Sequence, residues 1–569
     1  DGQRCADSVF ELAYIWLLII SNVDGGLQMS LNVPEQMEHD SSSKSGIRSA
    51  KEGEYIIAPS LDPGGLDEIG LIRAIADHSS DSVRSKARLQ ALTAELICKK
   101  QRRGALQSDP SVEAHRQLPL SASIANRVRD RTILVTGGAG CIGRVLVQRL
   151  LQYGPRRVIV ISRSPVTRDA SAHRLVRAAH VDIRDRDSLA AVFARYRPDV
   201  VYHLAAQRLP SLGEIQIIDT ISTNVFGTRN IVDLSREFGV LQCLVVSTAK
   251  AVNYFPSQVY NQTKKLEEWV VLAAPVHNGP AYGVIRLTHV LDNSWLLYKM
   301  REGMAKGLVA LQAPDVSFYA QRVEEATDLL LNALPLVEVG RARIFSAADL
   351  GWPINLLDLA LYRIYESRSG AGVYFTGAQP GYEDHIFRGV VDWTAPTRSL
   401  PHVLHNAVER RIEDSHHISA VGVVASYAPP CDADILGAVL DELQGEVMGI
   451  PIGPIRLRAS LYRAVFRLTL HMFSEISPEY LLKIARWGAS PAILGLTGTV
   501  VTHHRDTLIP LLQSLLPKIT LELCLRSGWH GHEWEAFLDA VSEIPELKEL
   551  VTEWRSPVGH RAISMGAIG

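Results

Sequence analysis

Residues 132–143 read TILVTGGAGCIG, an apolar run followed by a glycine-rich turn that contains Gly137, Gly140 and Gly143. The run is typical of a buried strand, and RVLVQRL, which comes after the turn, has the spacing of an amphipathic helix. Glycine tolerates the backbone angles of a tight turn and lets two backbone segments approach closely. The stretch therefore predicts a strand–turn–helix unit of an α/β sheet.

The same pattern recurs along the next part of the chain. The runs RVIVIS, DVVYHLAA and CLVVST are short and apolar, and helix-length segments separate them. Strands that alternate with helices in this way are typical of βαβ units on a parallel sheet. The fold class predicted for residues 131–415 is α/β, a Rossmann-type doubly wound parallel sheet with a small substrate-binding subdomain from about residue 286.

The regions on either side of this sheet differ in pattern. Residues 1–60 are largely polar and rich in turn-forming residues, so we expect a flexible arm or extension, with Met29 as a possible natural start. Residues 61–130 predict a helical N-terminal region, and residues 416–569, with stretches such as LYRAVFRLTLHMF, predict a mainly helical C-terminal domain. The apolar run from Leu12 to Ile20 is far shorter than the ~20 residues of a membrane span, so no membrane partner is expected.

Composition excludes several classes of function. The chain has 569 residues, a formal net charge of −2, 47% hydrophobic and 21% charged residues, so nothing favours nucleic-acid binding. The six cysteines form no CxxC pair, which favours a reducing compartment and predicts a cytoplasmic protein. The histidine pairs at 416–417 and 503–504, and the histidines of GWHGHEWE, lack acidic or cysteine partners at metal spacing, so no metal site is predicted.

The glycine turn is suited to a dinucleotide, because its N–H groups and the positive end of the following helix dipole favour a pyrophosphate. The second strand ends in Ser162 and Arg163 instead of a carboxylate, which favours the 2′-phosphate of NADP, with NAD as the alternative. The residues expected to bind this cofactor are Gly137, Gly140, Cys141, Ile142, Gly143, Ser162, Arg163, Asp182, Ile183, Leu204, Ala205, Ala206, Tyr260 and Lys264.

The catalytic group is predicted in STAKAVNYFPSQVYNQTK, residues 247–264. Tyr260 and Lys264 are spaced i and i+4 and share a helix face, so the ammonium favours the phenolate and brings the pKa of the tyrosine closer to working pH. Thr248 or Ser247, at the end of the preceding strand, would hold a substrate hydroxyl while Tyr260 takes its proton and a nicotinamide takes the hydride. The pattern therefore predicts a nicotinamide-dependent oxidoreductase.

Longer stretches extend this pattern from about Arg131 to Arg388: TGGAGCIG, VDIRDRDSLAAVFARYRPDVVYHLAA, TNVFGTRNIVDLSREFGV, STAKAVN, YNQTKKLEE, APDVSFYAQRVEEATDLLL and YFTGAQPGYED. On these residues the chain resembles the extended short-chain dehydrogenases/reductases, and it is similar to the sugar-nucleotide 4,6-dehydratases and epimerases of polysaccharide biosynthesis. The resemblance implies oxidation of a sugar C4 hydroxyl, removal of the C5 proton and loss of the C6 hydroxyl. It also implies a homodimer with a four-helix interface to which the helix of Tyr260 contributes.

One departure from this family pattern lies at the catalytic centre. The segment that usually reads STDK reads STAK here, so Lys250 is kept as a candidate base at C5, whereas Ala249 stands at the position of the acid. Protonation of a leaving hydroxide needs an acid, which an alanine does not supply. We expect hydride transfer to be retained and water elimination to be weak, unless another acid such as Glu214 takes over.

Other departures lie on the substrate side. Family arginines fall at Phe318 and Gln379, a family asparagine falls at His289, and two extra residues lie between Asn253 and Tyr260. The loss of two cations that would lie near a diphosphate or sugar weakens the expectation of an ordinary nucleotide sugar. A modified or unrelated hydroxylated substrate therefore stays open.

Three functions are compatible with the sequence. The first is an NADP-dependent oxidoreductase that acts on a secondary hydroxyl or ketone of a sugar nucleotide or related polyol, as an epimerase or dehydratase with a transient 4-keto intermediate. The second is a net ketoreductase of a specialised metabolite, which turns over one equivalent of NADPH per cycle. The third is a scaffold that binds the nucleotide without catalysis, an alternative motivated by the long helical regions on either side.

Overall fold

The structure, a computed structural model, describes residues 66–113, 117–163, 173–275, 277–292, 294–378, 420–449, 453–482 and 531–555, with scattered positions between 380 and 418 and between 509 and 526. Several predictions fall outside the described residues. They are the arm of residues 1–60, the apolar run from Leu12 to Ile20, the start at Met29, the position of Gln379, and the histidines at 416–417, 503–504 and 530.

A mostly parallel sheet forms the centre of the molecule, and short strand pairs lie beside it. In chain order the strands are β1 (Thr132–Thr136), β2 (Arg157–Ser162), β3 (Val176–His180), β4 (Val200–His203), β5 (Gln242–Thr248), β6 (Ala281–Leu287), β7 (His289–Val290), β8 (Leu308–Leu311), β9 (Ser317–Phe318), β10 (Ala320–Gln321), β11 (Arg343–Ala347), β12 (Ile354–Asn355), β13 (Gly372–Phe375), β14 (Arg410–Arg411) and β15 (Val423–Tyr427).

Helices connect and cover these strands. They are α1 (Glu68–Asp77), α2 (Lys86–Arg102), α3 (Pro110–Glu113), α4 (Ile124–Val128), α5 (Cys141–Leu151), α6 (Arg186–Tyr196), α7 (Pro210–Ile215), α8 (Ile217–Ile221), α9 (Gly227–Glu237), α10 (Val259–Leu272), α11 (Trp295–Lys306), α12 (Val323–Ala333), α13 (Leu356–Ser367), α14 (Ala433–Met448), α15 (Pro454–Ser474), α16 (Gly531–Ser542) and α17 (Lys548–Trp554). A π-helical turn, Ser222–Phe226, joins α8 to α9.

The spatial order of the described sheet is β14-β15-β11-β6-β5-β4-β1-β2-β3. The strands from β3 to β11 in this order are parallel, whereas β15 is antiparallel to β11 and β14 is antiparallel to β15. The direction of winding reverses between β1 and β4, and such a reversal leaves a ligand-binding crevice outside the carboxyl ends of the strands. The predicted Rossmann-type fold class is confirmed.

Helices cover the sheet on both faces, which accounts for the apolar sequences of the central strands. Every residue of β1 and β6 is buried, as expected for parallel strands packed on two sides. One face packs against α4, α5 and α12, with Leu146 and Leu330 in its core. The other packs against α6, α9 and α10, with Phe193 and Trp269 in its core. The carboxyl edge between these layers is the predicted location of the site.

The N-terminal helices α1 and α2 contribute to a second, smaller hydrophobic core. Helices α1 and α2 pack against β13, and α2 also contacts α13. Leu71, Leu89, Val309 and Val373 share this core. A Cβ at Gly372 would lie 2.8 Å from the backbone N of Gln90, so α2 packs directly on the backbone of β13. The N-terminal region and the segment that contains α11 to β13 therefore share their apolar interior.

The sheet continues past residue 416, the predicted start of the C-terminal domain. β14 lies before this boundary and β15 lies after it, so the two strands pair across it. After β15 the described chain is helical, with α14 packed on α15 and α15 packed on α10. None of the helices described here is both long enough and apolar enough to cross a membrane.

Candidate active site

The glycine turn between β1 and α5 is held by close backbone packing. Gly137 has a φ of +66°, and a Cβ there would lie 3.0 Å from the backbone N of Ala205. A Cβ at Gly143 would lie 2.4 Å from the carbonyl oxygen of Gly137, so the helix starts against the turn itself. Helix α5 begins at Cys141, and the first N–H groups of an α-helix have no partner within the helix. The turn therefore offers donors at the positive end of a helix dipole.

A buried hydrogen-bond chain joins the carboxyl ends of β1 and β4. The Oγ1 of Thr136 accepts the N–H groups of Leu204 and Ala205, both at 3.1 Å, and bonds Nδ1 of His203 at 2.7 Å. Nε2 of His203 bonds Oγ1 of Thr228 at 3.0 Å. Burial, with a smaller contribution from the Lys264 charge, lowers the pKa of His203 to about 3, so the ring is neutral. These bonds set the position of the strand ends beside the glycine turn.

The ends of β2 and β3 lie side by side, since Ser162 pairs with His180. Arg163 follows β2 and is exposed. Asp182 accepts hydrogen bonds from the backbone and guanidinium of Arg184, at 2.7–3.1 Å. Burial raises the pKa of Asp182, but the bonds and charge of Arg184 and the charge of Arg163 outweigh it, so the pKa lies below its ordinary value. This part of the edge carries two guanidinium groups near one carboxylate.

Helix α10 carries Tyr260 and Lys264, and both side chains are buried. Nζ of Lys264 donates to the carbonyl oxygen of Val246 at 2.8 Å, which ties the helix to the end of β5. The same ammonium donates to both carboxylate oxygens of Glu267, at 2.6 and 2.7 Å. The lysine therefore lies beneath the strand that ends in Thr248.

Glu267 is a residue that the sequence reasoning missed, although its spacing of i+3 from Lys264 could have indicated it. Its side chain is 1% exposed. Burial raises the pKa of Glu267 to about 7, even though the Lys264 ammonium acts in the opposite direction. When ionised, Glu267 offsets part of the positive charge that was predicted to favour the phenolate of Tyr260.

Ser247 and Thr248, the last two residues of β5, have different surroundings. The hydroxyl of Ser247 is buried and donates to Oε1 of Glu268 at 2.7 Å, so it belongs to the interior. Thr248 is partly exposed and begins a 3-10 turn, Ala249–Ala251, whose Lys250 N–H it accepts at 3.4 Å. Of the two hydroxyls considered from the sequence, Thr248 is the one at the accessible end of the strand.

Ala249 lies against an apolar cluster formed by Ala347, Leu350 and Leu404, with Tyr319 beside it. An acid at position 249 would be partly surrounded by apolar groups, a setting that raises the pKa of a carboxyl. The surroundings would suit an acid, but the side chain that would supply one is missing.

Two positions that depart from the family pattern on the substrate side, His289 at the start of β7 and Phe318 in β9, are neighbours in the structure. The ring of His289 packs edge-on against Phe318, with 5.2 Å between ring centroids. The His289 side chain reaches solvent, yet desolvation by the surrounding protein, followed by the charges of Lys250 and Arg208, lowers its pKa to about 4. His289 and Phe318 therefore mark the substrate side of the site, where the charges of Lys250 and Arg208 act on the imidazole. Arg208 is a cation on this side that the sequence reasoning did not single out.

Glu214, considered as a substitute acid, has another role. Its Oε1 accepts the N–H of Val259, the first residue of α10, at 2.8 Å. Its Oε2 lies 2.9 Å from Nη1 of Arg458, and Nη2 of Arg458 donates to the Glu214 carbonyl oxygen at 2.6 Å. Glu214 therefore caps the first turn of the Tyr260 helix and joins it to α15.

A buried ion network lies behind β5. Arg286 is fully buried and bonds Glu268 at 2.8 Å and Glu409 at 2.7 Å. Lys265 lies 3.2 Å from Glu268 and 4.1 Å from the ring centroid of Tyr254. Burial opposes the charge of Glu268, but Arg286 and Lys265 outweigh it and lower its pKa to about 2. Loss of one partner in such a network costs about 3–5 kcal/mol, so these groups support the site from behind.

The remaining predicted cofactor residues have contacts on this edge. Sγ of Cys141 donates to the carbonyl oxygen of Asp292 at 2.9 Å, which connects α5 to the segment after β7. Ile183 packs under α9, where a Cβ at Gly227 would lie 2.6 Å from its Cδ1. Ile142 and Leu204 pack against the core. Among the described residues no cluster of His, Cys, Asp or Glu is arranged to hold a metal ion.

Comparison with known proteins gives matches over the same region. The family model described as polysaccharide biosynthesis protein matches residues 133–385. An uncharacterized membrane protein of Methanocaldococcus jannaschii is 33% identical over 226 residues, 38% of this chain and 67% of that protein. The UDP-N-acetylglucosamine 4,6-dehydratase (inverting) of Campylobacter jejuni is 33% identical over 171 residues, 29% of this chain and 50% of that enzyme. The chain spans about half the length of other curated relatives, 47% and 52%.

Among solved structures, the X-ray structure of Pen from Bacillus thuringiensis aligns with a TM-score of 0.45 and 20% identity over 53% of this chain and 88% of that chain. The family match begins in β1 and ends after β13, so it contains the glycine turn, the Tyr260 helix and His289. The chain therefore belongs to the family of polysaccharide biosynthesis proteins, and its fold is Rossmann-type.

Proposed function

We propose that the chain is an NADP-dependent enzyme that oxidises or reduces a secondary hydroxyl at C4 of a sugar nucleotide or related polyol, with a transient 4-keto intermediate. The observation that carries the proposal is that the glycine turn, the end of β5 and the buried Lys264 of α10 meet at the crevice edge of one sheet. The Campylobacter relative is named a sugar-nucleotide dehydratase. That name supports the substrate class.

The turn fits a dinucleotide. Gly137 and Gly143 pack so closely that a side chain there would displace backbone, whereas a Cβ at Gly140 would meet only the carbonyl oxygen of Gly137, at 3.1 Å. The open side of the turn therefore admits a pyrophosphate near the first N–H groups of α5. Asp182 and Ile183 would hold the adenine end, and Leu204, Ala205, Ala206, Tyr260 and Lys264 would hold the nicotinamide half. When bound, the nicotinamide would take up and return a hydride.

NADP is the preferred cofactor in this proposal. The exposed guanidinium of Arg163 follows β2, the position at which a carboxylate would bind the ribose of NAD. The nearby carboxylate of Asp182 is held by Arg184. A 2′-phosphate would meet positive charge at this edge, and NAD is the alternative.

The residues of the chain supply the proton chemistry. Thr248 would hold the substrate hydroxyl by a hydrogen bond, and Tyr260 would take its proton. Lys264 favours the phenolate, while the ionised carboxylate of Glu267 opposes this effect. Lys250, partly exposed and close enough for its charge to act on His289, is the candidate base at C5. With Ala249 in an apolar cluster and Glu214 bound to Arg458, water elimination would be slow.

A net ketoreductase of a specialised metabolite is the second candidate, because the described part of the site pairs an intact Tyr260 and Lys264 with an acid position filled by Ala249. The two functions differ in cofactor balance. An epimerase or dehydratase returns its hydride within each cycle, whereas a reductase consumes one equivalent of NADPH per turnover.

The experiment identifies the nucleotide that co-purifies and incubates the protein with UDP-, GDP- and dTDP-sugars in deuterated water. Deuterium at C5 without net cofactor change is expected, and loss of one water would mark dehydration. NADPH consumption with a simple carbonyl substrate would favour the reductase. Bound NADP without turnover of any sugar nucleotide would contradict the proposal and leave the reductase or the nucleotide-binding scaffold.

A further inference from the structure

Helix α10 is buried around its whole circumference. Every residue from Val259 to Val271 is buried, including polar side chains such as Gln262 and Lys265. A helix that covers one face of a sheet is expected to keep a polar outer face in solvent. Another part of the molecule therefore covers the outer side of the helix that carries Tyr260.

Helix α15 packs against α10 and against the loop before it. The ring of Phe255 lies 5.5 Å from that of Phe466 and 5.8 Å from that of Phe473, measured between centroids. The hydroxyl of Thr469, which is fully buried, donates to the carbonyl oxygen of Tyr254 at 2.8 Å. Tyr254 and Phe255 lie in the loop that is two residues longer than the family pattern. The longer loop therefore has a binding partner within the same chain.

Polar contacts attach the helix pair α14 and α15 at two further places. Arg458 of α15 binds Glu214, which caps the first turn of α10. Arg229 of α9 donates to Asp441 of α14 at 2.6 Å. The pair is thus joined to α7, α9 and α10, and its apolar side belongs to the same core as these helices.

We propose that α14 and α15 act as a built-in partner that takes the place of a second subunit. In the homodimer that the resemblance implies, the outer face of the Tyr260 helix would contact another chain. Here α9 and α10 meet α14 and α15 of their own chain, so one chain completes the helical layer. Within this arrangement Arg458 is a positioning residue, because it holds Glu214 against the N–H of Val259, next to Tyr260. The inference needs neither the proposed substrate nor the cofactor.

Hydrogen exchange of the full chain at decreasing concentration tests the covering. Amides of residues 259–271 are expected to keep the same protection after dilution to a state that sedimentation shows to be monomeric, 62.7 kDa. Loss of protection on dilution would show that a second chain covers this helix and would overturn the proposal. A dimer whose dissociation leaves this protection unchanged would support it, because the covering would then be intramolecular.

A matched pair of variants tests the positioning role. Arg458 and Arg467 lie on α15 with side chains 44% and 48% exposed, but among the described residues Arg467 pairs within the helix pair, with Glu442. Arg458→Gln is expected to speed exchange at residues 254–260 by roughly three- to tenfold, whereas Arg467→Gln is expected to leave it unchanged. Equal exchange in the two variants would overturn the role of Arg458. Neither measurement uses a substrate, so failure of the proposed activity would leave the outcome interpretable.

Discussion

At the cofactor end of the candidate site, the close packing of the glycine turn and the buried hydrogen bond between Thr136 and His203 restrict which side chains these positions can accept. At the substrate end, Ala249, His289 and Phe318 stand where the family pattern has an acid, an amide and a cation, while Lys250 and Arg208 still place positive charge near His289. The difference teaches that backbone packing preserves one half of the site, while the chemistry of the other half depends on side chains that vary without disturbing the fold. Five changes test this contrast.

The largest effect is expected where the two ends meet, at Tyr260. Tyr260→Phe removes the group that takes the substrate proton, so the rate of hydride transfer should fall by roughly 10²–10⁴-fold. NADP affinity should change little, because the backbone donors at the turn are untouched. Single-turnover absorbance of the nicotinamide measures the rate, with Tyr196→Phe on α6 as the control. Full activity of the Tyr260 variant would refute the catalytic assignment.

A substitution at Gly143 tests whether the glycine turn at the cofactor end tolerates a side chain. A Cβ there would lie 2.4 Å from the Gly137 carbonyl oxygen, so Gly143→Ala should cost about 1–3 kcal/mol of stability and weaken NADP binding. Gly437, in α14, has no atom within 4 Å of an added Cβ. Gly437→Ala should instead stabilise the chain by about 0.5–1 kcal/mol. Thermal unfolding and NADP titration measure the stability and the NADP affinity of both variants. If the turn could move to accommodate the new methyl group, the two variants would not differ.

Ala249→Asp tests whether one side chain at the substrate end is enough to change the reaction. The apolar surroundings of Leu350 and Leu404 should raise the pKa of the new carboxyl and make it an acid. Water elimination from a sugar nucleotide should rise by roughly tenfold, since the new acid lacks the supporting bonds of an evolved one. Mass spectrometry of the product measures it, with Ala249→Asn as the control. Equal rates in the two variants would show that elimination is limited elsewhere.

The cofactor preference is tested at Arg163. Arg163→Ala removes a guanidinium proposed to bind the 2′-phosphate, so NADPH affinity should fall by roughly tenfold while NADH affinity is retained. Fluorescence titration with each nucleotide measures both, and Arg144→Ala, on α5, provides a control. Equal losses for NADPH and NADH would argue against a 2′-phosphate contact.

The smallest effect concerns pH. The pKa of Glu267 is raised to about 7 by burial, so the carboxyl takes up a proton as the pH falls through 7, and Lys264 then keeps its full charge for the cofactor. NADP affinity should increase by roughly three- to fivefold between pH 8 and pH 6. Glu267→Gln should remove this dependence, whereas Glu302→Gln, on the surface of α11, should preserve it. A pH dependence that persists in Glu267→Gln would assign the titration to another group.

The fold was predictable because its signals are local. The alternation of apolar runs and helix-length segments indicates parallel strands, and the glycine spacing after β1 indicates the first crossover. The positions of Tyr260 and Lys264 follow from helical spacing in the same way. Glu267 could have been predicted in the same way, because it lies three residues after Lys264 on the same helix and forms a buried i+3 ion pair with it.

The rest of the site depends on contacts between distant parts of the chain. Glu214 was considered as an acid because its partner Arg458 lies 244 residues away and nothing in the local pattern connects them. The apolar setting of Ala249 depends on Leu404, and the positive charge that acts on His289 comes partly from Arg208, 81 residues before it. Such pairings follow from the path of the chain, which residue types and spacing alone do not determine.

The buried Arg286 has a consequence for synthesis. One of its two carboxylates, Glu409, lies 123 residues further along the chain. On a ribosome, the strand that carries Arg286 emerges long before Glu409 is made, so the guanidinium is left with half of its counter-charge during that interval. The native ion network around Arg286 can therefore form only in a chain that extends at least to residue 409. Completion of the interior is thereby coupled to the length of the nascent polypeptide.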